Sequence, residues 1–163
     1  MDVRLATLED AGAIREIYNL EILTSTATFD LVPRTLDEQR TWQAERSGAR
    51  AVLVAVDDGG GVQGFGSLSP WRDRPAYATS VEDSVYVHRD HHGLGVGRAL
   101  LTELVTIATA HGFHACLARI VGGHDASIAL HVACGFEVVG TEREVGRKFG
   151  RWLDVVIMER LLA

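Results

Sequence analysis

Cysteine is scarce: the chain of 163 residues holds two, Cys116 and Cys134. Two do not make a disulfide framework. Both sit in apolar surroundings and are expected as reduced core residues, because free Cys behaves as a small buried hydrophobe. Long hydrophobic runs are missing as well. The longest unbroken apolar stretch, Ala51 to Val56, has six residues, whereas a membrane span needs about twenty. The start, Met1-Asp2-Val3-Arg4, lacks a basic segment followed by an apolar one. No signal peptide is expected, and the protein is expected in the cytoplasm. Basic residues are outnumbered, 16 against 22 acidic, for a net charge of −6. That weighs against non-specific nucleic-acid binding, which runs on clustered Lys and Arg. The seven histidines complete no zinc pattern: His111 and His114 are three apart and His91-His92 adjacent, with no Cys or carboxylate spacing to match. No metal is expected.

What is present is ordinary globular composition, 47% apolar and 23% charged, which argues against disorder. At about 150 residues per domain, residues 1–163 form one domain. A chain of this size buries roughly 70% of its unfolded surface and needs no disulfide or metal to fold.

Periodicity supplies the elements. Val3 to Ala6 alternates as a short strand. Thr7-Leu8-Glu9-Asp10 resembles a capping box, and Ala13, Ile14, Ile17 and Tyr18 mark a first helix to about Leu23. A Thr-rich loop to Asp30 follows. Thr35-Leu36-Asp37-Glu38 opens a second helix to about Ser47. Strands are expected at Ala51 to Val56, Val62 to Ser69 and Tyr77 to Val87. An amphipathic helix begins at Val96 and ends at Gly112. A strand at Phe113 to Val121, a helix at Ala126 to Cys134, and strands at Phe136 to Glu144 and Trp152 to Leu161 complete the chain, with a basic loop at residues 147–151. The order β-α-α-β-β-β-α-β-α-β-β implies an α/β fold. Its sheet is mixed and mostly antiparallel, with helices on both faces and at least one parallel crossover.

The most informative segment runs from Val85 to Leu100. A strand ends, glycines follow at alternate positions (Gly93, Gly95, Gly97), and a helix begins. Helix N-termini carry unpaired N–H groups and a positive dipole end, and glycines let a phosphate approach them closely. The function implied is binding of a pyrophosphate or similar anion. The spacing is not the dinucleotide pattern G-x-G-x-x-G, and no Gly-Lys-Ser/Thr follows as in a P-loop.

This turn resembles the acetyl-CoA loop of the GCN5-related N-acetyltransferases, Gln/Arg-x-x-Gly-x-Gly/Ala. His92 stands where Gln or Arg is usual. The resemblance narrows to the phosphinothricin and methionine sulfoximine acetyltransferases. It is carried in order by Ile17-Tyr18-Asn19, Thr26 to Phe29, Trp71 to Tyr77, Glu82 to Val87, Ala126 to His131, Gly135-Phe136 and Phe149 to Asp154. It implies the acyl-CoA N-acyltransferase fold, a homodimer, and transfer of acetyl from acetyl-CoA to the α-amine of an amino acid or analogue by direct attack. The cofactor-binding set it implies is Val85, Tyr86, Val87, His92, Gly93, Leu94, Gly95, Val96, Gly97, Arg98, His124 and Ser127. The backbone amides of Val85 and Val87 are implied to pair with the pantetheine arm.

Acetyl transfer needs a base for the ammonium, donors for the carbonyl oxygen and a proton for the departing thiolate. Glu82 is the candidate base, on one strand face with Ser84 and Tyr86. The alternative is a surface carboxylate paired with Arg74. His131 is the candidate for the thiolate, the alternative being a helix His with a structural partner. Arg74, then Arg72, are candidates for a substrate oxyanion, which Arg grips with a planar fork; a solvated loop is the alternative. Phe29, Tyr77 and Trp71 could shape an apolar wall. Two competing functions are acetylation of a peptide or protein N-terminus and non-catalytic acyl-CoA binding. An enclosed pocket under the Thr24 to Asp30 loop fits an amino acid; an open groove fits a peptide.

Overall fold

The computed structural model describes residues 1–162. Its elements are β1 (Asp2–Leu5), α1 (Ala11–Thr24), α2 (Leu36–Ala44), β2 (Val52–Val56), β3 (Val62–Pro70), β4 (Ser80–Val87), α3 (Val96–Ala110), β5 (Ala115–Val121), α4 (Asp125–Ala133), β6 (Glu137–Lys148) and β7 (Arg151–Leu161). Seven strands form one sheet in the order β1-β2-β3-β4-β5-β7-β6. Every neighbouring pair is antiparallel except β4 and β5.

Strand alternation divides the apolar residues between the two faces. On one face Val52, Val54, Val56 and Phe65 pack against Ile14, Ile17, Tyr18 and Ile22 of α1. On the other, Leu53, Leu68, Val81, Cys116 and Ala118 pack against Leu100, Leu101 and Leu104 of α3. Fully burying a side chain such as Leu104 contributes about 1.5–3 kcal/mol. Cys116 and Cys134 are both buried and free. Gly64 and Gly66 let α3 lie close on β3: a Cβ on Gly66 would stand 2.9 Å from Leu104 Cδ1.

Several boundaries differ from the sequence reading. Tyr77 is not in a strand; Pro75–Thr79 form a 3-10 turn and β4 starts at Ser80. Pro75, with its φ fixed near the helical value, starts that turn. Asp10 returns to the Thr7 N–H at 2.7 Å but also grips Arg4 through two hydrogen bonds, so only a 3-10 turn precedes α1. The box at Thr35 and Glu38 forms as read, at 3.0 and 3.1 Å. The basic segment is not a loop. Its ends extend β6 and β7, leaving a two-residue turn with Phe149 at φ +52° and Gly150 at φ +71°. The register of β6 shifts between Glu142 and Gly146, and the Glu144 N–H turns to the Asp154 carboxylate at 2.8 Å.

Candidate active site

Strands β4 and β5 pair at three positions only, Ser80–Ala115, Val81–Cys116 and Glu82–Leu117. Beyond them the strands part. The His88 N–H donates to the Gln63 carbonyl at 2.9 Å, which sets the alternation of β4. Tyr86 and Ser84 therefore turn their backbone toward β3. Val85 and Val87 turn theirs toward the opening beside β5. A cleft of about 490 Å³ lies there, lined by Val85, Val87, Ile120, Val121, Ser127 and the glycine turn among others.

At the mouth of the cleft, Gly93 has φ +75° and Gly95 φ +81°. Gly95 is the N-cap of α3 and supplies no side-chain cap, so the first-turn amides face outward. A Cβ on either Gly93 or Gly95 would meet no atom within 4 Å, which leaves room for an anion against the backbone. Gly97 also lines the cleft and has a packing task as well. Its Cβ would stand 3.1 Å from Leu130 Cδ2, so it lets α3 approach α4. Uncapped amides at one end and open strand amides along the wall fit a pyrophosphate joined to an amide-bearing arm.

The remaining residues expected at the cofactor fall into three groups. Val96 is buried, Arg98 is exposed, and both line the cleft. The Leu94 side chain is 65% exposed and lies outside the lining. His92 and His124 also line the cleft but have protein partners. His92 Nε2 donates to the Val87 carbonyl at 2.9 Å, since a carbonyl can only accept. His124 Nε2 is 2.8 Å from Thr26 Oγ1, which ties the α1–α2 loop to the start of α4.

Glu82, Ser84 and Tyr86 share the face that carries α1. Burial pushes the Glu82 carboxyl up to about 7, against the pull of Arg119 and with the push of Asp83; Arg72 pulls more weakly. Among the described residues no ion pair to Glu82 forms, and Arg74 is not its partner. The Tyr86 ring stacks on Phe65 at 5.4 Å and meets Tyr18 edge-on at 5.1 Å. The Tyr18 hydroxyl donates to Asp30 and lies 2.9 Å from Thr28 Oγ1.

Arg72, Arg74 and Tyr77 lie exposed on the β3–β4 connection. Arg72 rests over the Trp71 ring at 4.8 Å. Phe29 covers Gly146, where a Cβ would stand 2.3 Å from Phe29 Cζ. Phe29 therefore packs on the β6–β7 hairpin. Beside it the buried Lys148 donates to the Thr28 carbonyl at 2.8 Å.

His131 is buried against Phe136. Its Nδ1 donates to the Ser127 carbonyl at 2.8 Å, and its Nε2 lies 2.9 Å from Asp83 Oδ1. Sequence reasoning gave no site role to Asp83, Arg119, Thr26 or Lys148. Alternation would have placed Asp83 opposite Glu82; Thr26 and Lys148 carried no local signal.

Comparison with known proteins agrees with this geometry. The family described as acetyltransferase (GNAT) domain matches residues 3–157. A phosphinothricin N-acetyltransferase of Streptomyces coelicolor is 39% identical over 165 residues, 99% of this chain and 96% of that protein. An L-methionine sulfoximine/L-methionine sulfone acetyltransferase of Pseudomonas paraeruginosa is 39% identical over 158 residues, 96% of this chain and 92% of that protein. Among solved structures, a phosphinothricin acetyltransferase from Sinorhizobium meliloti in complex with AcCoA aligns at TM-score 0.95 and 40% identity, over 99% of this chain and 88% of that one. A ribosomal-protein-alanine N-acetyltransferase from Brucella melitensis aligns at TM-score 0.96 and 39% identity, over 99% of this chain and 100% of that one. With its parted central strands, its uncapped glycine turn and these relatives, the chain belongs to the GNAT family of acetyl-CoA-dependent acetyltransferases.

Proposed function

We propose that this enzyme acetylates the α-amine of a small L-amino acid or analogue with an acidic or strongly polar side chain, such as phosphinothricin, methionine sulfoximine or methionine sulfone. The observation that carries this reading is the Glu82 carboxyl, raised to about 7 and placed where β4 leaves β5. A carboxylate of ordinary acidity is a poor base toward an ammonium; one near neutrality is matched to the task. The ammonium gives its proton to Glu82, directly or through water. The free amine then attacks the thioester while the amides of Val85 and Val87 hold the pantetheine arm. His131 meets the departing thiolate. Arg74 and Arg72 grip a substrate oxyanion, with Tyr77 and Phe29 beside it.

The name of the Brucella relative favours a second reading, a peptide or protein N-terminus as acceptor. The loop over the site argues for the first. It is fastened at Thr26 to His124, at Thr28 to Lys148 and at Phe29 to Gly146. A roof held at three points suits an enclosed amino acid better than a peptide lying in a groove.

We also propose a cytoplasmic homodimer. Among the described residues no helix is long and apolar enough to cross a membrane. Phe149 and Trp152 are exposed at the β6–β7 hairpin, and such aromatics favour interfaces.

Five outcomes are expected. Gly95→Val puts a side chain over the uncapped amides and should raise the acetyl-CoA Kd at least tenfold, about 1.4 kcal/mol; unchanged calorimetric affinity in the folded variant would contradict the site. Glu82 works as a base only when ionised, so wild-type kcat should climb as pH rises through about 7. Glu82→Gln should lower kcat by about 10²–10⁴ and recover part of it in alkali, while Arg74→Ala should mainly raise KM for the amine. Equal kcat for wild type and Glu82→Gln across about pH 6 to 9 removes Glu82 from the mechanism. Sedimentation at micromolar concentration should give the dimer mass; a monomer mass refutes the dimer.

A further inference from the structure

We propose that Asp83 is a positioning residue for acetyl transfer: it holds His131 as the charged imidazolium that meets the departing thiolate of CoA. The inference rests on the reading of His131 given above. Asp83 follows Glu82 directly and is the first residue of β4 beyond its pairing with β5. Its side chain points to the face opposite Glu82, is 5% exposed, and lines the cleft together with His131.

The hydrogen bonds fix the proton count. The Ser127 carbonyl can only accept, so Nδ1 of His131 always carries a proton. A neutral His131 would then present a bare lone pair at Nε2. That lone pair would face Asp83 Oδ1, and two bare acceptors at hydrogen-bond distance repel. Only a second proton, on Nε2, makes the ring useful. Asp83 Oδ1, 2.9 Å away, is the group that favours that second proton. With Nδ1 on a carbonyl and Nε2 on a carboxyl oxygen, both ring nitrogens face acceptors. Burial alone would push the His131 ring down; the hydrogen bond and charge of Asp83 outweigh it and raise the ring above its ordinary value.

Few other groups face the pair. From β5 the Cys116 thiol lies 4.0 Å from Asp83 Oδ2, and burial raises that thiol so that it stays neutral. From β7 the Arg160 guanidinium is bonded to the Cys134 carbonyl. Glu82 is on the same strand but the other face. The side chains that α3 places in the surrounding cluster, Leu100, Leu101 and Leu104, are apolar.

The step balances as follows. The ammonium gives one proton to Glu82, and the amine lone pair forms the C–N bond. The C–S bond breaks with its electron pair on sulfur. Sulfur takes the Nε2 proton and leaves as the free thiol; His131 becomes neutral while Asp83 remains a carboxylate. The second proton of the attacking nitrogen passes to water. His131 then takes a proton from water and Glu82 releases one, for a net release of one proton.

The test combines spectroscopy with kinetics. In the wild-type protein, nitrogen NMR of the His131 ring at about pH 7.5 should show both ring nitrogens protonated, above the ordinary imidazole range. In Asp83→Asn the ring should be neutral at that pH. The variant should lose kcat about tenfold or more with KM for acetyl-CoA little changed, and its deficit relative to wild type should shrink as pH falls toward 6. A neutral His131 ring in the wild type overturns the proposal, as does a folded Asp83→Asn enzyme with wild-type kcat and pH profile. If that variant fails to fold, the wild-type spectrum decides alone. A folded His131→Asn enzyme with wild-type kcat overturns the reading of His131 itself and the inference with it.

Discussion

Strand β4 stops bonding to β5 after Glu82, and from there both strands carry backbone groups with no strand partner. A buried amide left unsatisfied costs about 1–3 kcal/mol, so a sheet interior tolerates such a gap only where water or a ligand can enter. The gap dictates the rest of the site. It opens a slot between α3 and α4. It turns the Val85 and Val87 amides toward that slot. It ends at the uncapped start of α3, where a negative group is welcome. A flexible, amide-bearing thioester with a pyrophosphate at its far end matches these features in order.

The same point on β4 also separates two charges. Glu82 and Asp83 are consecutive, so alternation sends them to opposite faces of the sheet. Burial raises Glu82, with Arg119 and Arg72 as the cations that act on it, and makes it a proton acceptor near neutrality. Asp83 faces the cleft side, with Oδ1 2.9 Å from His131 Nε2. In the proposed reaction one carboxylate takes a proton from the amine and the other keeps a proton in place for the sulfur. Even from the opposite face Asp83 adds to the rise of Glu82 that burial begins.

Much of this was legible because it is local. The order of the elements followed from hydrophobic period. The glycine turn followed from three residues at alternate positions before an amphipathic run. The shared face of Glu82, Ser84 and Tyr86 followed from the strand repeat. Failures came where distant segments decide. Tyr77 has strand propensity, yet Pro75 two residues earlier sets a 3-10 turn. The hairpin at Phe149 reads as a charged loop by composition, yet Arg147 pairs with Trp152 across the strands and lies over its ring. His124 and Thr26 are 98 residues apart in sequence, Lys148 and Thr28 are 120 apart, and Asp83 and His131 are 48 apart. No period or motif connects such pairs; only the folded sheet brings them together.

The central claim is that parted strands leave a row of amides for acetyl-CoA to fill. Amide hydrogen exchange at Val85 and Val87, with and without saturating CoA, tests it most directly. Fast exchange is expected in the free protein, beside slow exchange at Tyr86 and Ser84, with strong protection of Val85 and Val87 once CoA is bound. Amides already protected in the free protein, or unchanged by CoA, would contradict it.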